Sequence, residues 1–419
     1  MSSDGLVIVG ASVAGANAAH AARMAGWSEP IRLVGKEGLL PYERPPLSKA
    51  VLIGRAAPSV AQVYPGTFYA TNEIDLLLGS TATTLSLADR TVELEGGRRL
   101  RFERVVLATG SSPRMLPAPG PELLGVHTLR SMDDMLALRD ELLPGRRVGI
   151  VGGSWIGTEV ASSARQRGCE VVIAGPMHTL LERVLGGEVG RYYENLHRSH
   201  GVEFRLGVGV AGLDGRDRVE RVRLADGTTA EVDLVVIGVG VRPNIELAVA
   251  AGLDTDKGVL VDGRLASSHR DVFAAGDIAE AQHPTLGRRV RVEHWANALN
   301  QGSVAGANAA GASKVFDEVP YFFSNQYDSS MEYSGWPLPW DRVVLRGDPA
   351  DGAFVAFYLN EGKLVGGANV NIGGVNEHVQ RLLREGGAVD VTQLADPDVG
   401  PSEWRTSSRP PARASRAGS

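Results

Sequence analysis

The chain has 419 residues, 43% of them hydrophobic and 22% charged, with a net charge of −6. That length exceeds what one hydrophobic core usually organises, so two or three domains are expected. The acidic balance excludes a general attraction to nucleic acid or acidic membranes, and no apolar run approaches the roughly 20 residues of a membrane helix. A single cysteine, Cys169, excludes an internal disulfide, a Cys-x-x-Cys redox pair and a thiolate metal or iron–sulfur cluster.

The first five residues lead into an apolar strand (6–9) without a basic leader or cleavage site, so a cytoplasmic protein is expected. That strand opens Val7-Ile8-Val9-Gly10-Ala11-Ser12-Val13-Ala14-Gly15, followed by an alanine-rich helix (14–25) and a second strand (31–34). This is the order of a dinucleotide-binding βαβ unit. The strand ends in a tight turn, the backbone approaches a pyrophosphate, and the helix N-terminus offers free N–H groups to its charge. A proline-rich loop comes next, Pro41-Tyr42-Glu43-Arg44-Pro45-Pro46-Leu47-Ser48-Lys49. Alternation over 81–94 predicts antiparallel strands, and Arg104-Val105-Val106-Leu107-Ala108-Thr109-Gly110 predicts a buried strand with a glycine end.

About 140 residues after the first turn the pattern repeats, as Val148-Gly149-Ile150-Val151-Gly152-Gly153-Ser154-Trp155-Ile156-Gly157. A helix (156–167), a strand (170–174), helix-like spacing (188–200) and strand-like stretches (202–206, 219–224) follow. A buried strand then runs into Gly238-Val239-Gly240, and the chain returns to Val272-Phe273-Ala274-Ala275-Gly276-Asp277. Short aromatic strands (321–323, 354–359) and a helix (375–383) predict a smaller α+β domain. Residues 405–419, rich in Ser, Arg, Pro and Ala, have no apolar periodicity and are expected to be disordered. Cys169 opens a predicted buried strand and is read as inert packing.

Two such turns point to two dinucleotides held together, a flavin reduced by a nicotinamide. The expected class is α/β: two Rossmann-like dinucleotide-binding domains in a glutathione-reductase-like arrangement, plus a C-terminal α+β domain. The expected division is a discontinuous domain around the first turn (1–114 and 245–316), an inserted domain around the second (115–244) and a C-terminal domain (317–404).

Several segments carry a resemblance: Pro45-Pro46-Leu47-Ser48-Lys49, Ala108-Thr109-Gly110, residues 152–159, Gly238-Val239-Gly240-Val241-Arg242-Pro243-Asn244, Ala275-Gly276-Asp277 and Glu293-His294-Trp295-Ala296-Asn297-Ala298. Together the chain resembles the putidaredoxin-reductase-like, pyridine-nucleotide-dependent ferredoxin reductases that serve cytochrome P450s and Rieske oxygenases, and it is also similar to apoptosis-inducing-factor-type flavoproteins. The resemblance implies FAD in the first domain, NADH (with NADPH possible) in the inserted second domain, and a 2Fe–2S or 3Fe–4S ferredoxin as acceptor. It implies FAD contacts at Gly10, Ser12, Val13, Ala14 and Gly15 in the first turn, and at Lys36, Glu37, Arg44 and Lys49 in the loop beyond it. Further FAD contacts are implied at Ala82, Ala108, Thr109, Gly110, Arg130, Gly276, Asp277, Glu293, His294, Trp295 and Phe323. NAD(P)H contacts are implied at Gly152, Gly153, Ser154, Trp155, Ile156, Gly157 and Glu159, and at Gly238, Val239 and Gly240. Lys49 and Glu159 are the implied catalytic pair. A fixed cation beside the ring stabilises negative charge on the reduced flavin, and the carboxylate holds that cation in place.

The departures lie at five positions. Ser12 and Ser154 occupy second-glycine positions, where a serine fits if φ is negative and its hydroxyl could reach a phosphate. Lys36, with Glu37 beside it, replaces the acid that meets the adenosine ribose, and Ala174 replaces its counterpart in the second unit, where His178 or Arg183 could assist a 2′-phosphate. Phe323 stands where the family has tryptophan. An NAD(P)H oxidase or quinone reductase, or a flavin-bearing signalling protein, remains an alternative on the same scaffold. A cysteine-dependent oxidase would need a thiol near the Lys49 loop, which has none.

Overall fold

In the computed structural model, which describes residues 4–407, two parallel sheets carry the two glycine turns and an antiparallel sheet stands behind them. In the first sheet the strands follow the order Ile74–Leu77, Ile31–Val34, Gly5–Val9, Arg99–Leu107, and Val272–Ala274 also pairs with Arg99–Leu107. Every residue of Gly5–Val9 is buried, as expected of a parallel strand covered on both faces. The strands Thr91–Leu94 and Ala82–Ser86 extend the sheet in antiparallel pairing.

The helix Val13–Met24 crosses the first sheet and packs closely on the helix Trp295–Ala309. Small residues make this approach possible. A Cβ on Gly302 would lie 2.2 Å from the Ala14 carbonyl oxygen, and one on Gly306 would lie 2.0 Å from that of Ala18.

The second sheet repeats the parallel plan in the order Val202–Leu206, Glu170–Gly175, Arg147–Val151, Leu234–Ile237, Val126–His127. The strands Ser111–Pro113 and Val241–Pro243, on the two connections between the sheets, pair antiparallel. Asn244 binds these connections together: its side chain donates to Thr109 O at 3.0 Å and accepts from the Ser112 hydroxyl at 2.8 Å.

The third sheet is antiparallel, Tyr321–Gln326, Ser329–Gly335, Lys363–Val370, Phe354–Asn360, Arg342–Arg346, with the helix Asn376–Glu385 packed on it. One apolar core joins it to the second sheet and to the proline loop, through Leu47, Val51, Val160, Tyr193, Phe354 and Tyr358. The helix expected at 188–200 begins earlier, as Glu182–Ser199, with a break at Gly186 (φ 75°) under the Trp340 ring.

Two expectations are corrected. Thr406–Ser407 pairs with Ala388–Val389, so order extends into the segment expected to be disordered, and 408–419 lie outside the described residues. The strand read as ending at Ala174 ends at Gly175. Ala174 is buried among Val151, Leu213 and Ile237, so the position at the strand tip, near the Gly152 Cα, is Gly175. Among the described residues no helix is long and apolar enough to cross a membrane.

Candidate functional site

Both turns have the geometry their glycines imply. Gly10 (φ 120°) and Gly152 (φ 104°) occupy conformations that side chains avoid. A Cβ on Gly15 would meet the Gly10 carbonyl at 1.9 Å, and one on Gly157 would meet that of Gly152 at 2.4 Å. Each turn is therefore closed tightly against its own helix. At the first, Val13, Ala14 and Gly15 open a helix with no capping side chain and no acid in its first turn, leaving N–H groups for an anion.

The two serines behave differently from expectation. Both have negative φ, at −133° and −81°. Their hydroxyls, however, are committed to protein carbonyls: Ser12 donates to Tyr42 O at 3.0 Å and Ser154 to Gly238 O at 2.7 Å. Each ties its turn to a neighbouring loop instead of aiming at a phosphate.

Around the first turn, Glu37 accepts from the buried Tyr42 hydroxyl at 2.5 Å and pairs with Arg44 at 3.4 Å, while Lys36 is exposed. Burial pushes the Tyr42 phenol up to about 12, so it acts as a neutral donor. Ala82 starts its strand just beyond Ser80, whose N–H binds the Gly35 carbonyl at 2.8 Å. Ala108 is buried, and Thr109 and Gly110 join the connection held by Asn244.

Arg44 donates to the Arg130 carbonyl, and Arg130 pairs with Asp277 at 2.7 Å. Asp277 also accepts from Ser111 at 2.6 Å. The Gly276 N–H is held by Gln301 Oε1 at 2.9 Å. The buried Nε of Arg130 has no hydrogen-bond partner. Orphaned buried donors are rare, and this one is free to meet an anionic ligand.

The proline loop brings Lys49 to Glu159 across 110 residues of sequence. Nζ lies 2.6 Å from Oε2, with the two side chains 16% and 6% exposed. Ser48 also donates to Oε2, and Ser324 donates to Oε1 at 2.7 Å. Lys49 is further held by Pro45 O at 3.3 Å. A buried ion pair costs several kcal/mol per ion in lost hydration unless its remaining sites are filled. Here they are filled, so the pair fixes geometry more than it adds stability.

Lys49 Nζ sits 5.9 Å from the Phe323 ring centre, near the outer limit of cation–π attraction. Trp295 meets Phe323 edge-on at 6.3 Å, and His294 lies against Phe322 at 4.8 Å. Burial pushes His294 down to about 4, so it is neutral. Glu293 is exposed and pairs with Arg291.

At the second turn, Ile156 and Val239 form an exposed apolar rim, each 37% exposed. Gly153 is covered by the Met177 methyl, which a Cβ there would meet at 2.8 Å. Gly240 has φ 104°, and Gly238 leaves room for the Ser154 hydroxyl. The Trp155 side chain packs on Phe322 at 4.6 Å and Tyr193 at 6.2 Å. Near the strand tip the His178 N–H is taken by Glu182 at 3.0 Å.

Sequence reasoning missed Ser48, Ser324, Gln326 and His197. Burial pushes His197 down to about 4, outweighing its hydrogen bond to Gln326. The unfolded imidazole takes up a proton near pH 6.5 while the folded one stays neutral, so its stabilising contribution is complete above pH 6.5 and lost as pH falls toward 4. In denaturant melts, wild type is expected to lose about 2 to 3 kcal/mol more than His197→Gln between pH 7 and pH 4.5. Parallel pH dependences would refute the assignment.

Two glycine turns served by one buried ion pair, with a third sheet closing the rear, define a two-dinucleotide oxidoreductase. Residues 4–302 match the pyridine nucleotide-disulphide oxidoreductase family, to which the chain belongs, and residues 321–400 match the reductase C-terminal family. With Cys169 buried and alone, this member has no disulphide of its own. The chain is 39% identical over 401 residues to the ferredoxin–NAD(+) reductase component of the anthranilate 1,2-dioxygenase system of Burkholderia cepacia, covering 96% of this chain and 99% of that protein. It is 35% identical over 374 residues to putidaredoxin reductase of Pseudomonas putida, covering 88% and 89%. Among solved structures it superposes on the covalent putidaredoxin reductase–putidaredoxin complex with a TM-score of 0.92 at 33% identity, covering 96% and 98%. The ferredoxin reductase for the CYP199A2 system of Rhodopseudomonas palustris gives 0.91 at 34%, covering 96% and 99%.

Proposed function

We propose that the chain is an FAD-dependent ferredoxin reductase, taking hydride from NAD(P)H and passing single electrons to an iron–sulfur ferredoxin that supplies a cytochrome P450 or Rieske oxygenase. The observation that carries the reading is the Lys49–Glu159 pair, which joins the FAD-side loop to the first turns of the nucleotide-side helix. A bound flavin supplies the exchange between two-electron and one-electron chemistry.

The chain's own residues bind, orient and shield. Val13, Ala14 and Gly15 offer N–H groups to the pyrophosphate, with Arg130 and Arg44 adding positive charge beside it. Lys49 holds a cation where negative charge grows on the ring, and Glu159 fixes that cation toward the nicotinamide side. Trp295 and Phe323 screen the position from water. In this reading the FAD domain comprises 1–114 and 245–316, the NAD(P) domain 115–244 and the C-terminal domain 317–404. NADH is the donor, and NADPH is also accepted, because neither Ala174 nor Gly175 sets a carboxylate against a 2′-phosphate.

The test is anaerobic. The purified protein is expected to be yellow, to bleach within a second on NADH, and to pass its electrons to an added 2Fe–2S or 3Fe–4S ferredoxin. Bleaching over minutes with a persistent long-wavelength band would instead favour a signalling role. A colourless protein that FAD does not reconstitute would overturn the reading.

A further inference from the structure

Behind Glu159 lies a row of polar side chains that the proposed function does not use. Ser324 Oγ is 2.7 Å from Glu159 Oε1, and Gln326 Nε2 is 3.2 Å from Ser324 Oγ. His197 Nε2 is 2.8 Å from Gln326 Oε1, and the Tyr327 hydroxyl is 3.1 Å from His197 Nδ1. Ser324, Gln326 and His197 are at most 1% exposed. The Tyr327 ring, on a residue with φ 55°, stacks on exposed His200 at 3.7 Å and 9°.

One charge dictates the direction of every bond in this row. The Glu159 carboxylate only accepts, so Ser324 must donate to it. The Ser324 oxygen then has only lone pairs left, so Gln326 must turn its amide nitrogen toward it. That nitrogen also donates to Thr158 Oγ1 at 3.1 Å, whose own proton goes to Trp155 O. The Gln326 oxygen therefore faces His197, which must carry its proton on Nε2. Nδ1 is left bare, and Tyr327 donates to it. The row is satisfied throughout and polarised one way, toward Glu159. Apolar side chains of similar shape are often about as stable at such a junction, so stability alone does not require this polarity.

We propose that this one-way chain positions Glu159, and through it Lys49, so that the C-terminal sheet completes the reductase site only when seated against the helix Trp155–Gln166. The inference rests on the reading that Lys49 and Glu159 act beside the flavin and nicotinamide. Ser324, Gln326 and His197 are positioning residues. Gln326 is the middle of the chain: its amide nitrogen donates to Ser324 and to Thr158, and its oxygen accepts from His197.

The test uses the full FAD-loaded protein. Ser324→Ala and Gln326→Leu are expected to slow flavin bleaching by NADH about tenfold, leaving the half-saturating NADH concentration within about twofold. Ser324→Thr, which keeps the hydroxyl, is expected to restore the rate. In a Glu159→Ala background, Gln326→Leu should add less than about twofold, because the chain then has nothing to position. Independently of turnover, imidazole ¹⁵N shifts, assigned by loss of the signal in His197→Gln, should show the Nε2–H tautomer at His197. Wild-type bleaching in Ser324→Ala, or an Nδ1–H tautomer, would overturn the inference. If Glu159→Ala itself bleaches at the wild-type rate, the underlying reading fails; if Glu159→Ala is slow and Ser324→Ala is fast, only this inference fails. Should Gln326→Leu not fold, the Ser324 pair and the tautomer still decide.

Discussion

Lys49→Met is expected to slow reduction of the bound flavin by NADH about 10²- to 10³-fold, the usual loss when a fixed donor to developing negative charge is removed. The flavin should remain bound, because the first turn and the Arg130–Asp277 pair are untouched. The variant also leaves Glu159, 6% exposed at its side chain, with serine hydroxyls as its remaining donors. Lys49→Arg is not expected to rescue fully: a planar fork cannot replace a point charge that meets one carboxylate oxygen and the Pro45 carbonyl together. Stopped-flow absorbance under anaerobic conditions measures both. A Lys49→Met protein that bleaches at wild-type speed would remove Lys49 from the chemistry.

Gly302→Val should abolish retention of FAD, and Gly306→Val should destabilise the protein by about 3 kcal/mol or more with weaker flavin loss. Both insert carbon where the opposing helix has backbone, 2.2 Å and 2.0 Å from carbonyl oxygens, and backbone does not rotate aside. The difference between them comes from position. Gly302 presses on Ala14, within the turn proposed to hold the pyrophosphate, whereas Gly306 presses on Ala18 one turn further along. The flavin-to-protein absorbance ratio and thermal melts check this. Full flavin content and an unchanged Tm in Gly302→Val would mean that the helices are not held at this distance.

The parallel units were legible because an apolar run, a glycine turn and a following helix coincide in each, with small residues along the first helix. Lys49 and Glu159 were legible through the motifs around them. Their supporting donors were not. Thr158, Glu159, Ser162 and Ser163 form a polar stripe that reads as a solvent face by helical period, yet all four are buried, the first three bonded to residues 324–327 and Ser163 to the Ser48 carbonyl. Strand alternation places Ser324 and Gln326 on one face of Tyr321–Gln326, but alternation cannot say what that face meets. The hydroxyls of Ser12 and Ser154 were misjudged for a similar reason. Their acceptors, Tyr42 O and Gly238 O, lie 30 and 84 residues away, beyond any local pattern. The slip from Gly175 to Ala174 was one residue at a strand end, where a buried glycine and a buried alanine look alike.

Cys169 is fully buried, donates to the Leu143 carbonyl at 3.3 Å, and has its thiol pushed up by burial. With no other cysteine in the chain, the wild-type surface is blank to maleimide reagents. Cysteines installed at Val60 and Leu124, 60% and 64% exposed, would accept a fluorophore pair or two nitroxides without first removing a native cysteine. The distance between the nucleotide-binding halves could then be followed in real time as electrons pass.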